Sequence, residues 1–397
     1  MIIEKAIVRE LRRLMGLIGL VILMGLISCS SDDYEEQPQA SQGTIIPEVA
    51  SYVTWFEEFQ QSHRTNRVWE APTGYVTYEG GKQPIGIAFT KDAQAPEIGS
   101  FFYSSGKWRT SLDDIEATDY YLYGYIPHLS AIRYSITDYN GGSTDAEKNA
   151  DYSKGAIMTL ENVPTVMAND LCVAIGAKNG TNEETVTGLR RGDFKYTAKA
   201  TTSEDAKGNY VFLLFDHLYA SMRVKMKVYP DYAALRTIKL KSLKLSTQAG
   251  ETTSKAHNTI TIKLKANDGS TDPIQEITYT PTGEEIGVVD EDGIEFWKSE
   301  TSVGETLTTD FKTFDGYFMS SGITTLDLTS IYDVYDTKDN LIREDCKVTN
   351  TVVISELWPG QTVTRRSNRY TVKMIIQPTF LYVLSDPDLD NPTVTVE

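Results

Sequence analysis

Met222-Arg223-Val224-Lys225-Met226-Lys227-Val228 puts an apolar side chain at every second position and a cation at each position between. A period of two marks a β-strand with one face in a core and the other in water. Pro230-Asp231 ends the strand, a short turn or helical segment crosses Tyr232 to Leu235, and Ile238 to Leu245 resumes as strand. The phase then slips. Ile238 and Leu240 face one way while Leu243 and Leu245 are out of step by one residue, which predicts a bulge near Lys241-Ser242.

Similar runs extend in both directions from this stretch. Before it lie Ile85 to Phe89, Tyr120 to Ile126, Ala131 to Tyr139, Leu171 to Ala177, Phe194 to Ala198 and Tyr210 to Phe215; after it lie Thr259 to Leu264, Glu276 to Thr280, Thr324 to Ile331, Val348 to Ile354 and Tyr370 to Ile376. Gly, Pro, Asn and Asp separate them at intervals of about 8 to 12 residues, as in β-sandwiches. No long helix or internal repeat interrupts the pattern, so the chain reads as all-β. Val49 to Gln61 fits a short helix or a strand equally, because Val53, Phe56 and Phe59 recur by threes while Tyr52, Thr54 and Phe56 alternate. The longest polar stretch between strand-rich regions, Thr201 to Asn209, places a division near residue 205, with one sandwich over 49–205 and a second over 206–397.

The N-terminus sets the compartment. Lys5, Arg9, Arg12 and Arg13 precede an apolar run from Leu14 to Ile27 that is too short to span a bilayer, so residues 1–28 read as a secretory leader. Leu26-Ile27-Ser28-Cys29 resembles the bacterial lipobox, which implies that Cys29 becomes a lipid-modified N-terminus anchored in a membrane. Residues 29–48 form an acidic tether, opening with Ser30-Ser31-Asp32-Asp33-Tyr34-Glu35-Glu36, which is solvated and self-repelling. An acidic stretch at this place looks like a surface-export signal of Bacteroidetes lipoproteins.

Cleavage leaves 369 of 397 residues, and the loss of four basic and two acidic side chains moves the net charge from −17 to −19. So acidic a chain does not suit nucleic acid or direct docking on anionic lipid. Only Cys172 and Cys346 follow Cys29, each among apolar residues, so both read as buried small hydrophobes rather than a disulfide framework.

Signals for chemistry are weak. His63, His128, His217 and His257 have no neighbouring Glu or His at metal-ligand spacing, and His217 reads as a packing residue. Neither a nucleophile elbow nor a phosphate-binding loop occurs, which points away from an enzyme, and no cofactor or metal is expected. Asp386, Asp388 and Asp390 alternate like calcium-loop ligands, yet Pro387, Asn391 and Pro392 break that outline and favour a solvated acidic tail. Arg191-Gly192-Asp193 spells an integrin-binding tripeptide, but Phe194-Lys195-Tyr196 after it looks like strand entry. Tyr120, Tyr121, Tyr123 and Tyr125 occupy both parities of one run, as in a strand buried on both faces rather than a sugar-stacking platform.

Trp108, Asp119 to Pro127, Phe215 to Met226 and Pro378 to Ser385, in that order and behind a lipobox, resemble the fimbrillin family of Bacteroidales, the subunits of type V pili. The resemblance covers essentially the whole mature chain. It implies two tandem transthyretin-like β-sandwich domains, export to the cell outer membrane as a surface lipoprotein, and assembly with other fimbrial subunits into a fimbrium that meets a host or bacterial surface. It also implies cleavage after an arginine beyond the first strand, for which Arg64 and Arg67 are the first candidates past Cys29, with Arg67 favoured because Val68-Trp69 begins a more structured stretch. Donor-strand exchange then needs a terminal strand with period-two apolar residues. Tyr370, Val372, Met374 and Ile376 supply one, Phe380 to Leu384 a weaker one, and the donor is expected between Tyr370 and Glu397. The alternative is a monomeric surface lipoprotein that binds glycans for nutrient uptake.

Overall fold

The computed structural model describes residues 46–52, 56–57, 76–77, 83–105, 107–112, 115–140, 150–180, 189–198, 210–246, 257–281, 293–319, 322–380 and 387–396. The leader, Cys29, Arg64, Arg67 and His63 lie outside them.

Among the described residues the chain forms four sheets. The first has nine strands, with β3 (Val76–Thr77), β1 (Ile46–Tyr52), β13 (Tyr210–His217), β11 (Cys172–Gly180), β7 (Asp119–Ile126), β4 (Ile85–Thr90), β5 (Glu97–Ser104) and β6 (Lys107–Thr110) in spatial order and β12 (Lys195–Thr197) paired to β7. The second has four, β17 (Ile274–Pro281), β16 (His257–Lys265), β9 (Gly155–Pro164) and β8 (Arg133–Asp138). The third has six, β10 (Val166–Met167), β20 (Lys312–Met319), β14 (Tyr219–Val228), β23 (Asn368–Phe380) and β2 (Phe56–Glu57) in order, with β24 (Pro387–Val396) paired to β23. The fourth has five, β18 (Ile294–Lys298), β15 (Thr237–Ser246), β21 (Thr325–Tyr335) and β22 (Leu341–Val353) in order, with β19 (Glu305–Leu307) paired to β15.

The first two sheets face each other as one sandwich, because Tyr123, Tyr125, Val173, Ile175 and Leu214 of one share a core with Met158, Leu160, Ile260 and Ile262 of the other. The third and fourth make the second sandwich. In β14 the apolar Met222, Val224, Met226 and Val228 are buried, and they share a core with Ile238, Leu240, Leu328 and Tyr332. The outward cations keep to water or to partners: Arg223 donates to Asp315 from Nε at 2.8 Å and Nη2 at 2.9 Å across the β14–β20 pair.

The β15 register slips between Leu240 and Ser242, the bulge that its apolar phase predicts. Residues 46–52 and 56–57 are strand, which resolves the ambiguous start of Val49 to Gln61. Two expectations change. The stretch around residue 205 lies outside the described residues, and the sheets do not sort on either side of it: β16 and β17 complete a sheet with β8 and β9, while β10 joins β20. The C-terminal segment is not a loose tail beyond Asp386, since 387–396 is extended as β24 and pairs antiparallel with β23. That strand geometry also removes the calcium-loop reading of Asp388 and Asp390.

Candidate functional site

In this β-rich chain the informative places are the terminal strands and the junction of the two sandwiches. At the N-terminus, β1 lies parallel to β13, with Ile46 opposite Tyr210 and Tyr52 opposite Phe215 and a register shift between Pro47 and Val49. Among the described residues its other edge meets β3 at Ser51–Thr77 and Tyr52–Val76. Arg64 and Arg67 fall in sequence between β1 and β3, after β2. The main-chain partner that β1 gives to β13 is therefore connected to the rest of the sandwich through the segment that carries both arginines. Beneath it, Val211, Leu213 and Phe215 of β13 are buried in the core on one face of the nine-stranded sheet and Leu214 in the core on the other.

At the C-terminus, the four expected donor residues lie inside the molecule. Tyr370, Val372, Met374 and Ile376 are 1%, 0%, 0% and 0% exposed. They run parallel and in register with Met222, Val224, Met226 and Val228. Trp358 stacks edge-on against Tyr370 with ring centroids 5.4 Å apart. β23 is held on both edges, by β14 on one and by β2 and β24 on the other. β24 is held by less. Among its described side chains only Val394 is buried, Val396 is 41% exposed, and Asn350 Nδ2 donates to the Val394 carbonyl at 3.1 Å.

The junction is polar and well tied. Arg366 Nη1 donates to Asp216 Oδ2 and Nη2 to Asp272 Oδ2, each at 2.7 Å, and Nη1 also reaches the His217 carbonyl at 3.3 Å. Ser367 Oγ donates to Asp216 Oδ1 at 3.0 Å. Burial pushes the Asp216 carboxyl up, but Arg366 and His217 outweigh it and hold it below its ordinary value. At Asp272 burial outweighs the same arginine and the carboxyl is raised. Beside this network, His217 Nδ1 lies 2.6 Å from Asp170 Oδ2 and 3.5 Å from Cys172 Sγ. This cluster was not visible in the sequence, where Cys172 and His217 stand 45 residues apart. The cross-strand register of β11 and β13 makes them partners.

The remaining candidates take their places as packing. Cys172 and Cys346 are both buried free thiols. Tyr120, Tyr123 and Tyr125 are fully buried, and Tyr123 donates to the Tyr152 carbonyl at 2.7 Å, so they offer no platform to a sugar. His128 bonds the Tyr125 hydroxyl at 2.6 Å, and burial lowers its pKa. Arg191 is 3% exposed, so the Arg191-Gly192-Asp193 tripeptide is not displayed.

The fold defines an all-β protein of two β-sandwiches whose sheets draw strands from both halves of the chain. No family model and no curated protein matches the chain. Among solved structures it is similar to a candidate cell adhesion protein from Bacteroides fragilis at 9% identity and TM-score 0.42, covering 89% of this chain and 96% of that one. It is also similar to the fimbrial anchor protein from Porphyromonas gingivalis at 12% identity and TM-score 0.25, covering 88% and 95%. A third likeness is to a fimbrial protein from Bacteroides ovatus, at 9% identity and TM-score 0.31, which covers 84% of this chain and 49% of that one. The chain spans about half the length of that third protein.

Proposed function

We propose that this chain is a non-enzymatic structural subunit of a cell-surface fimbria, exported as a lipoprotein on Cys29 to the outer membrane and joined to other fimbrial subunits by donor-strand exchange, in the service of adhesion. The observation that carries the reading is the placement of β1. Cleavage after Arg67 or Arg64 severs β1 and β2 from the rest of the chain, and departure of β1 uncovers the main-chain edge of β13 over apolar cores on both faces. A strand edge in that state templates pairing with another chain, and a strand from a neighbouring subunit satisfies its main-chain groups by β-augmentation.

The geometry favours β24 over β23 as the donor. Withdrawing β23 strips four buried side chains from its own core, each contributing roughly 1.5 to 3 kcal/mol, whereas β24 gives up one described buried side chain and a single sheet edge. Surface-shed protein is the material for the test. N-terminal sequencing is expected to begin at Val68 or Thr65, and antibody to the chain is expected to decorate filaments in negative stain. Labelling of the cell surface without filaments, on chains that retain β1, would favour the monomeric glycan-binding lipoprotein instead.

A further inference from the structure

We propose that Asp170, Cys172 and His217 form a binding site for one divalent transition-metal ion of the zinc class. The three side chains bring a carboxylate oxygen, a thiol sulfur and an imidazole nitrogen within 4.8 Å of one another. Sulfur, nitrogen and oxygen are the donor set that zinc takes. A tetrahedral ion with its usual bond lengths sets its ligand atoms about 3.4 to 3.6 Å apart. Cys172 Sγ to His217 Nδ1 is already 3.5 Å and Cys172 Sγ to Asp170 Oδ2 is 3.2 Å. Only the His217–Asp170 distance, 2.6 Å, has to open, by under about 1 Å.

The side chain that must move is the one able to do so. Asp170 lies in the link between β10 and β11 with its side chain 16% exposed, whereas Cys172 and His217 are fixed opposite each other on paired strands and almost wholly buried. The second carboxylate oxygen, Asp170 Oδ1, is buried and meets no hydrogen-bond partner. Buried polar oxygens ordinarily find a partner, and a carboxylate left with one unsatisfied oxygen is one that a cation at the cluster would stabilise. Three protein ligands leave a fourth coordination position. On binding, the Cys172 thiol proton leaves to solvent and the His217 Nδ1 proton leaves to solvent as Nε2 takes one up, a change of tautomer that keeps the imidazole neutral, so the thiolate sulfur and the Nδ1 lone pair take the metal. Because His217 ends β13 and a single residue, Leu218, separates it from β14, the ion would tie β11 to the point where the chain passes from one sandwich to the other.

Cobalt titration of the full chain carrying Cys29→Ser, so that Cys29 contributes no thiolate, tests the site. The expected result is uptake of one Co2+ with a thiolate-to-cobalt charge-transfer band and the strong d–d bands of four-coordination. Cys172→Ser loses the charge-transfer band, and Asp170→Asn weakens binding at least tenfold. Zn2+ displaces the cobalt and raises the thermal midpoint of the same chain but not of Cys172→Ser. A charge-transfer band that survives Cys172→Ser, weak six-coordinate bands, or unchanged affinity in Asp170→Asn overturns the proposal. Should Cys172→Ser fail to fold by circular dichroism, X-ray absorption at the zinc edge of the Cys29→Ser chain decides: one sulfur neighbour at about 2.3 Å supports the site, and a shell of nitrogen and oxygen alone refutes it.

Discussion

Truncating the C-terminus at two points separates the two candidate donor strands. A chain ending at Asp386 lacks β24. It loses the burial of Val394, worth roughly 1.5 to 3 kcal/mol, one side-chain bond from Asn350, and the hydrogen bonds of one sheet edge. Edge hydrogen bonds are returned largely to water, so each nets about 1 kcal/mol or less. A chain ending at Ser367 lacks β23 as well. It forfeits Tyr370, Val372, Met374 and Ile376, a loss of roughly 6 to 12 kcal/mol, and leaves β14 without one of its two neighbours. Since whole domains are stable by only about 5 to 15 kcal/mol, the chain ending at Ser367 is expected to lose the second sandwich and the chain ending at Asp386 to keep it. The assay pairs far-ultraviolet circular dichroism and urea unfolding of each monomer with electron microscopy of the filaments it forms in cells. The Asp386 chain is expected to be folded and unable to polymerise. Filaments of ordinary length from that chain would refute the assignment of β24 as donor, and filaments from the Ser367 chain would show that the donor does not lie in the C-terminal region.

Other expectations follow from the leader, the arginines and the junction. Cys29→Ala is expected to abolish labelling by lipid precursors and leave the protein unanchored; label retained on the variant would overturn the lipobox reading. Replacing both Arg64 and Arg67 by Ala is expected to leave surface protein with its full N-terminus on immunoblots and to stop assembly. Arg366→Met removes the charged partner of the buried Asp216 and is expected to cost about 3 to 5 kcal/mol by denaturant unfolding, with much of the loss recovered in Arg366→Met/Asp216→Asn; a loss below about 1 kcal/mol would place the pair with exposed salt bridges. Asp216 has a depressed folded-state pKa, so its stabilisation is present above the unfolded value of about 3.9 and fades as pH falls through the lower folded value. Asp272 is raised, so its ionisation opposes folding and that cost is relieved on acidification. Asp216→Asn should therefore flatten the acid limb of the stability curve, and Asp272→Asn should steepen it.

The strands that alternate or run wholly apolar could be read from residue order, because side-chain period and burial are local properties. Met222 to Val228 is the clearest case, and even the bulge at Lys241 was legible, since a one-residue slip moves every later side chain to the opposite face. The tyrosine run also carried its own burial. β24 was not legible: Pro387, Pro392 and three aspartates spell a turn or tail, and only the free edge of β23 makes that segment a strand. Sheet membership was hidden for the same reason. Nothing in Thr259 to Leu264 says that it pairs with β9 rather than with nearer strands in the second sandwich. Residue order supplied the expectation of a leader, the candidate arginines and the all-β character. Tertiary structure alone placed Tyr370, Val372, Met374 and Ile376, the residues expected to donate, in a core, buried Arg191, and set Cys172, His217 and Asp170 around one point, because pairing between distant strands depends on register and shared edges that no short window of sequence contains.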